Sequence, residues 1–120
     1  APDIKKKIES IFRNEGWSSR TSVDIELKHF ISGIFHKIGL VAQFGNMAMC
    51  YGDMLKLQLL YEKKIIESAF YVILTRNDMR ARKDNYAQFE KLCKHLNLYR
   101  DVIRIPIMVL GVENKHDIRI

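Results

Sequence analysis

Cysteine is scarce in this chain of 120 residues: only Cys50 and Cys93 occur, each beside apolar neighbours in a helical pattern. Two thiols so placed argue against a disulfide scaffold or a cysteine metal site, and fit a reduced cytoplasmic protein. Long hydrophobic runs are missing too. No segment approaches the roughly 20 apolar residues of a membrane span, and no cleavable signal is recognisable at the start. The chain opens at Ala1-Pro2-Asp3 without an initiator methionine, and so reads as a fragment or a processed form. Acidic residues are in deficit, with 14 Asp and Glu against 20 Lys and Arg, a formal charge of +6. That excess favours a polyanionic partner, because phosphate contacts by Lys and Arg release counterions and give sequence-independent affinity. A merely soluble basic domain carries the same balance.

What is present is an ordinary globular composition, 48% apolar and 28% charged. Its length suits a single domain over residues 1–120, with a core over 16–112 and a loose polar tail over 113–120. Asp3 is placed to cap a helix running to about Glu15, with Ile4, Ile8, Ile11 and Phe12 on one face and Gly16 at its end. Lys5, Lys6 and Lys7 lie in its first turn, where the helix dipole disfavours them. A solvated face, or a role outside helix stability, accounts for them.

Val23, Ile25 and Leu27 alternate with Asp24, Glu26 and Lys28, which predicts a strand with both acids on one face. His29 to Lys37 returns the chain into a nearly continuous apolar strand from Ile38 to Phe44, as expected for a central strand covered on both sides. Gly45 and Asn46 break it, and a helix follows from Met47 to near Lys64. Gly52 weakens that helix and suits a close approach of another backbone. Ala69 to Leu74 is a third strand, Asp84 caps a third helix, and Ile107 to Val112 is the last strand. Strands joined by helical crossovers are parallel, and the first hairpin adds an antiparallel neighbour. The expected fold class is α/β, a mixed β-sheet of about four strands flanked by helices.

Two acids on one strand face beside a buried strand suit metal-assisted phosphodiester hydrolysis. Carboxylates would hold Mg²⁺ against the phosphate, and a nearby lysine would steady the water or the developing charge. Asp24, Glu26 and Lys28 supply those residue types, although surface strands often read the same way. Asp53 reads as a solvated helical acid or as a group pointing back towards the site. His29, His36, His95 and His116 have no ligand spacing and read as structural or surface residues. Trp17 and Tyr51 read as core or interface. Arg76, Arg80, Arg82 and Lys83 follow a core strand on the edge where parallel sheets carry their working loops, and are the candidate phosphate contacts.

Val23-Asp24, the strand Ile38 to Asn46 with its Gln43-Phe44-Gly45, and the helix Tyr51 to Tyr61 together resemble restriction endonucleases of the BglII and BstYI type. Gly16-Trp17, Ser19-Arg20-Thr21 and the late strand Ile105 to Gly111 extend the resemblance over most of positions 16–112. It implies a restriction-endonuclease-like, PD-(D/E)xK-type fold that binds double-stranded DNA as a homodimer and cuts it with Mg²⁺. Asp24 falls at the family's first metal-binding aspartate and Gln43 at the last position of its Glu-x-Gln motif. Val41 stands where the family has its catalytic glutamate, and a valine can neither bind metal nor move protons. The stretch between Asp24 and Val41 is also longer than the family's usual hairpin, and the chain is short for such enzymes, which carry further helical structure ahead of the core.

Three readings of that departure remain. Glu26 replaces the glutamate, with Asp24 as its fellow metal ligand, Lys28 assisting and Gln43 positioning. Alternatively the site is dead and the fold persists as a DNA-binding or dimerisation module. In the third, Val41 is an introduced loss in a chain whose parent cuts DNA.

Overall fold

The computed structural model describes residues 2–78 and 85–113, with side chains from Ile4 onward. Helix α1 (Pro2–Asn14) turns Ile4, Ile8 and Phe12 onto the sheet, while Ile11 faces solvent. It closes as expected at Gly16: this residue adopts φ +103°, and the N–H groups of Gly16 and Trp17 return to the carbonyls of Arg13 and Phe12. Only glycine takes that left-handed conformation without steric cost.

The next segment departs from the predicted strand over 23–28. Strand β1 (Thr21–Asp24) stops at Asp24, residues 25–28 form a tight turn, and β2 (His29–Ile31) runs back beside β1 as a separate two-stranded ladder. The cause is local. Asp24 Oδ1 accepts from the Leu27 N–H at 3.0 Å, a side-chain-to-backbone bond that competes with the extended ladder. Ile25 and Leu27, the apolar positions of the expected strand, are 79% and 67% exposed.

The antiparallel neighbour of the central strand is instead β3 (Gly33–Phe35), joined to β4 (Ile38–Gln43) through His36 and Lys37, both with positive φ. That two-residue primed turn fixes the hairpin register, pairing Phe35 with Ile38 and Gly33 with Leu40. At Gly33 a Cβ would lie 2.5 Å from the Ser18 carbonyl oxygen, so the connection after α1 can lie flat on β3 only over a glycine.

From β4 onward the chain follows the predicted alternation. Helix α2 (Ala48–Glu62) leads to β5 (Ser68–Leu74), α3 (Phe89–Leu98) and β6 (Ile107–Val112), giving the order β3-β4-β5-β6 with the last three strands parallel. Asp84 lies outside the described residues, and Tyr86 bridges to Asn46 rather than opening α3. Both sheet faces are covered. Leu40, Ala42, Phe44, Val72 and Leu74 pack with Trp17 and α1, whereas Val41, Tyr71 and Ile73 pack with Met54 and Leu57 of α2 and Leu92 of α3. This two-sided burial is why the parallel strands are nearly all apolar. Gly52 meets nothing within 4 Å, so the close approach expected there is not made among the described residues.

Candidate functional site

On β4, Val41 and Gln43 share the face towards α2. Gln43 is buried and donates through Nε2 to Asp53 Oδ2 at 2.8 Å, while its Oε1 accepts from the Gly45 N–H at 2.9 Å. Tyr71, one strand over on β5, donates its hydroxyl to the same Asp53 oxygen at 2.7 Å. Lys56, one turn along α2, holds its ammonium 3.9 Å from Asp53 Oδ1 and 3.3 Å from the Phe30 carbonyl oxygen. Asp53 is therefore a buried acceptor for two neutral donors with a cation beside it, which offsets the cost of burying a carboxylate.

Burial pushes the Tyr71 hydroxyl far above its ordinary range, and the charge of Asp53 adds to the rise. Burial also drives the Cys50 thiol up to about 11; the hydrogen bond with Tyr71 opposes the rise, and Asp53 adds to it. Both groups stay protonated at neutral pH, so neither serves as an anionic nucleophile.

Gln43 and Asp53 border an open cavity of about 420 Å³. Val41 and Ser32 also line it, and Ser32 lies one residue beyond the Gly33–Leu40 pair, across the hairpin from Val41. The Ser32 N–H donates to the Leu40 carbonyl oxygen, and its Oγ accepts from the Ala42 N–H. Around the rim stand Lys5 from α1, Arg20, Lys28 and Lys56, against the acids Glu9 and Asp53. The Arg20 guanidinium sits 4.0 Å above the Phe30 ring, a cation–π contact that holds it at the mouth.

The structure thus brings together Lys28 and Gln43 but not Asp24 or Glu26. Neither acid lines the cavity; Asp24 is exposed on β1 with its carboxylate on the Leu27 amide, and Glu26 is exposed in the turn rather than on the face of Asp24. Arg76 is exposed just after β5, its backbone N–H bound by Glu90 Oε1. Arg80, Arg82 and Lys83 lie outside the described residues. Sequence reasoning missed Ser32, Arg20, Lys56 and Tyr71 and under-weighted Asp53. For Asp53 a signal existed: it falls three residues after Cys50 and four before Leu57, on the buried stripe of α2.

Mg²⁺ takes hard oxygen donors in near-octahedral array, usually with more than one oxygen from carboxylates or phosphates. Here two carboxylates line the cavity, Glu9 on α1 and Asp53 on α2; Asp53 is already bound by Gln43 and Tyr71, and Val41 offers no donor at all. Among the described residues no group of three His, Cys, Asp or Glu side chains is arranged to hold a metal. This donor set does not fit a resident divalent ion.

The model of the family "Restriction endonuclease BglII/BglIII" matches residues 1–112. No curated protein matches the chain. Among solved structures, the crystal structure of restriction endonuclease BglII complexed with a DNA 16-mer is similar in fold, with a TM-score of 0.79 at 14% identity. The match covers 93% of this chain and 54% of that one, so the chain spans about half the length of that relative. Among the described residues, no helix is long and apolar enough to cross a membrane.

Proposed function

The chain belongs to the restriction endonuclease BglII/BglIII family, and from that premise we propose that it binds duplex DNA without a working metal-dependent cutting centre. One observation carries this reading: the cavity beside β4 is lined by Val41 and Ser32 and by four Lys and Arg side chains. Such a lining attracts a phosphate backbone, and of its two acids, Glu9 and Asp53, the second is taken up by Gln43 and Tyr71 rather than free to hold Mg²⁺. Hydrolysis is then an ancestral chemistry of the fold, and the protein acts as a non-catalytic DNA-binding module. The free thiols of Cys50 and Cys93 suit the reducing cytoplasm.

Fluorescence anisotropy of a labelled duplex, titrated across salt concentrations, tests the binding. The logarithm of affinity should fall linearly with the logarithm of salt, by about 0.9 for each phosphate contacted. Chelating divalent ions should leave the curve in place. Absence of duplex binding at low salt would sink the reading, as would metal-dependent nicking.

The same reading takes two copies of the chain. Tyr51, Leu55 and Leu59 recur every four residues along α2 and are 39%, 62% and 42% exposed, beside exposed Tyr99 and Val102. An apolar stripe of this kind supports a self-complementary contact between identical helices. Leu55→Glu should convert the species seen by light scattering from dimer to monomer with an unchanged circular dichroism spectrum. A parent chain that stays monomeric at every concentration would refute the pairing.

A further inference from the structure

We infer that the cavity bordered by Ser32, Gln43 and Lys56 is a phosphate site that works without a metal, its ligand one phosphate group of a nucleic-acid backbone. The inference deepens the DNA-binding reading and rests on it for the identity of the ligand. In a metal-dependent site, carboxylates hold a divalent ion and the ion meets the phosphate. Here the charges are inverted. The groups that would meet the phosphate directly are Lys5, Arg20, Lys28 and Lys56, and of the two acids present Asp53 is already engaged by Gln43 and Tyr71.

Four local features place cations here against the preference of the backbone or at the expense of freedom. Lys5 sits in the first turn of α1, where the helix dipole opposes a positive side chain, yet it reaches this cavity. Lys28 adopts φ +56°, a left-handed conformation that costs a non-glycine residue, and it too lines the cavity. Arg20 is held over Phe30, so its planar guanidinium is presented with little rotamer freedom left to lose. Lys56 is tethered between the Phe30 carbonyl oxygen and Asp53. The polar floor adds the Ser32 hydroxyl and the amide of Gln43.

The test joins two titrations of the whole chain. Inorganic phosphate is followed by ¹H–¹⁵N spectra, and a labelled duplex by anisotropy, each with Mg²⁺ and with a chelator. Phosphate should shift the amides of Arg20, Lys28 and Ala42 and the side-chain amide of Gln43, with or without Mg²⁺. Arg20→Gln with Lys28→Gln, both at exposed positions, should weaken duplex binding by about tenfold at low salt and reduce the salt slope by about 1. Lys6→Gln with Lys7→Gln serves as a charge control and should weaken binding far less.

If the duplex binds but Arg20→Gln/Lys28→Gln leaves affinity and slope unchanged, the phosphate site is refuted while the DNA-binding reading stands. If no duplex binds, that reading fails, and phosphate shifts centred on the cavity still support the anion site. Phosphate shifts that appear only with Mg²⁺, or nowhere near the cavity, overturn it.

Discussion

Duplex DNA incubated with the purified chain and Mg²⁺, or separately Mn²⁺, is expected to remain intact, and Asp24→Ala is expected to leave that result unchanged. The reason is placement rather than composition. A metal ion assists phosphodiester hydrolysis by polarising the phosphate and lowering the pKa of an attacking water, and carboxylates must hold it there. Asp24 spends its carboxylate on the Leu27 amide at the outer ladder, and Glu26 lies in an exposed turn. Losing even about 4 kcal/mol of transition-state stabilisation slows a reaction by about 10³-fold. Discrete fragments from the parent chain, abolished by Asp24→Ala, would show instead that the acids of β1 and its turn form a working site.

The same geometry says how metal binding could be rebuilt. Ser32 and Val41 face one another across the β3–β4 hairpin, so Ser32→Asp with Val41→Glu puts two carboxylates on the cavity floor beside Gln43. The double variant should bind Mn²⁺ in a calorimetric titration in which the parent gives no heat. Val41→Glu alone should bind far more weakly, since of the acids lining the cavity Asp53 is committed to Gln43 and Tyr71 and Glu9 stands on a separate element, α1. If Val41→Glu alone binds metal tightly, and loses it on Asp24→Ala, then Asp24 rather than position 32 completes the set. Circular dichroism on each variant guards against loss of fold from burying new charge.

The parallel half of the fold was legible because burial on two faces leaves a signature that little else produces. Ile38 to Phe44, Ala69 to Leu74 and Ile107 to Val112 are continuous apolar runs separated by helical periods, and each became a strand within a residue or so. The hairpin half was not legible. Asp24-Ile25-Glu26-Leu27-Lys28 alternates as a strand should, but a single Asp24 side-chain bond turns it, and no period in the sequence reports that bond.

The reversal at His36-Lys37 hid for a related reason. Two-residue primed turns favour Asn and Gly, and here His and Lys hold positive φ because the flanking strands demand it. Register therefore stayed open, and with it which residue faces Val41. The pairing of Gly33 with Leu40, carried one residue further, sets Ser32 opposite Val41. Lys28 was named for its residue type and Gln43 through the resemblance, and both line the cavity; Arg20 and Lys56 were not named because only folding brings them to the same cavity.

Asp53→Ala should be the most damaging substitution in the site for stability and a mild one for DNA binding. Removing the carboxylate strands two buried donors, Gln43 Nε2 and Tyr71 Oη, at about 1–3 kcal/mol each, so a loss near 3 kcal/mol is expected in urea unfolding. For a domain of this size that lowers the melting temperature by about 10 °C, a large share of a typical stability. Asp53→Asn keeps one acceptor but turns an NH₂ towards a donor, and should cost less; Tyr71→Phe removes a single donor and should cost least.

Binding should move the other way. Without Asp53 the Lys56 ammonium loses its carboxylate neighbour, the cavity gains net positive charge, and duplex affinity measured where the variant is folded should hold or rise. A carboxylate that served a metal would show the opposite pair of signs: ligand affinity lost, stability little changed or improved as charge repulsion is relieved. Stability falling while affinity holds would identify Asp53 as the internal counter-ion of a basic pocket. Affinity collapsing at unchanged stability would assign it instead to the ligand site itself.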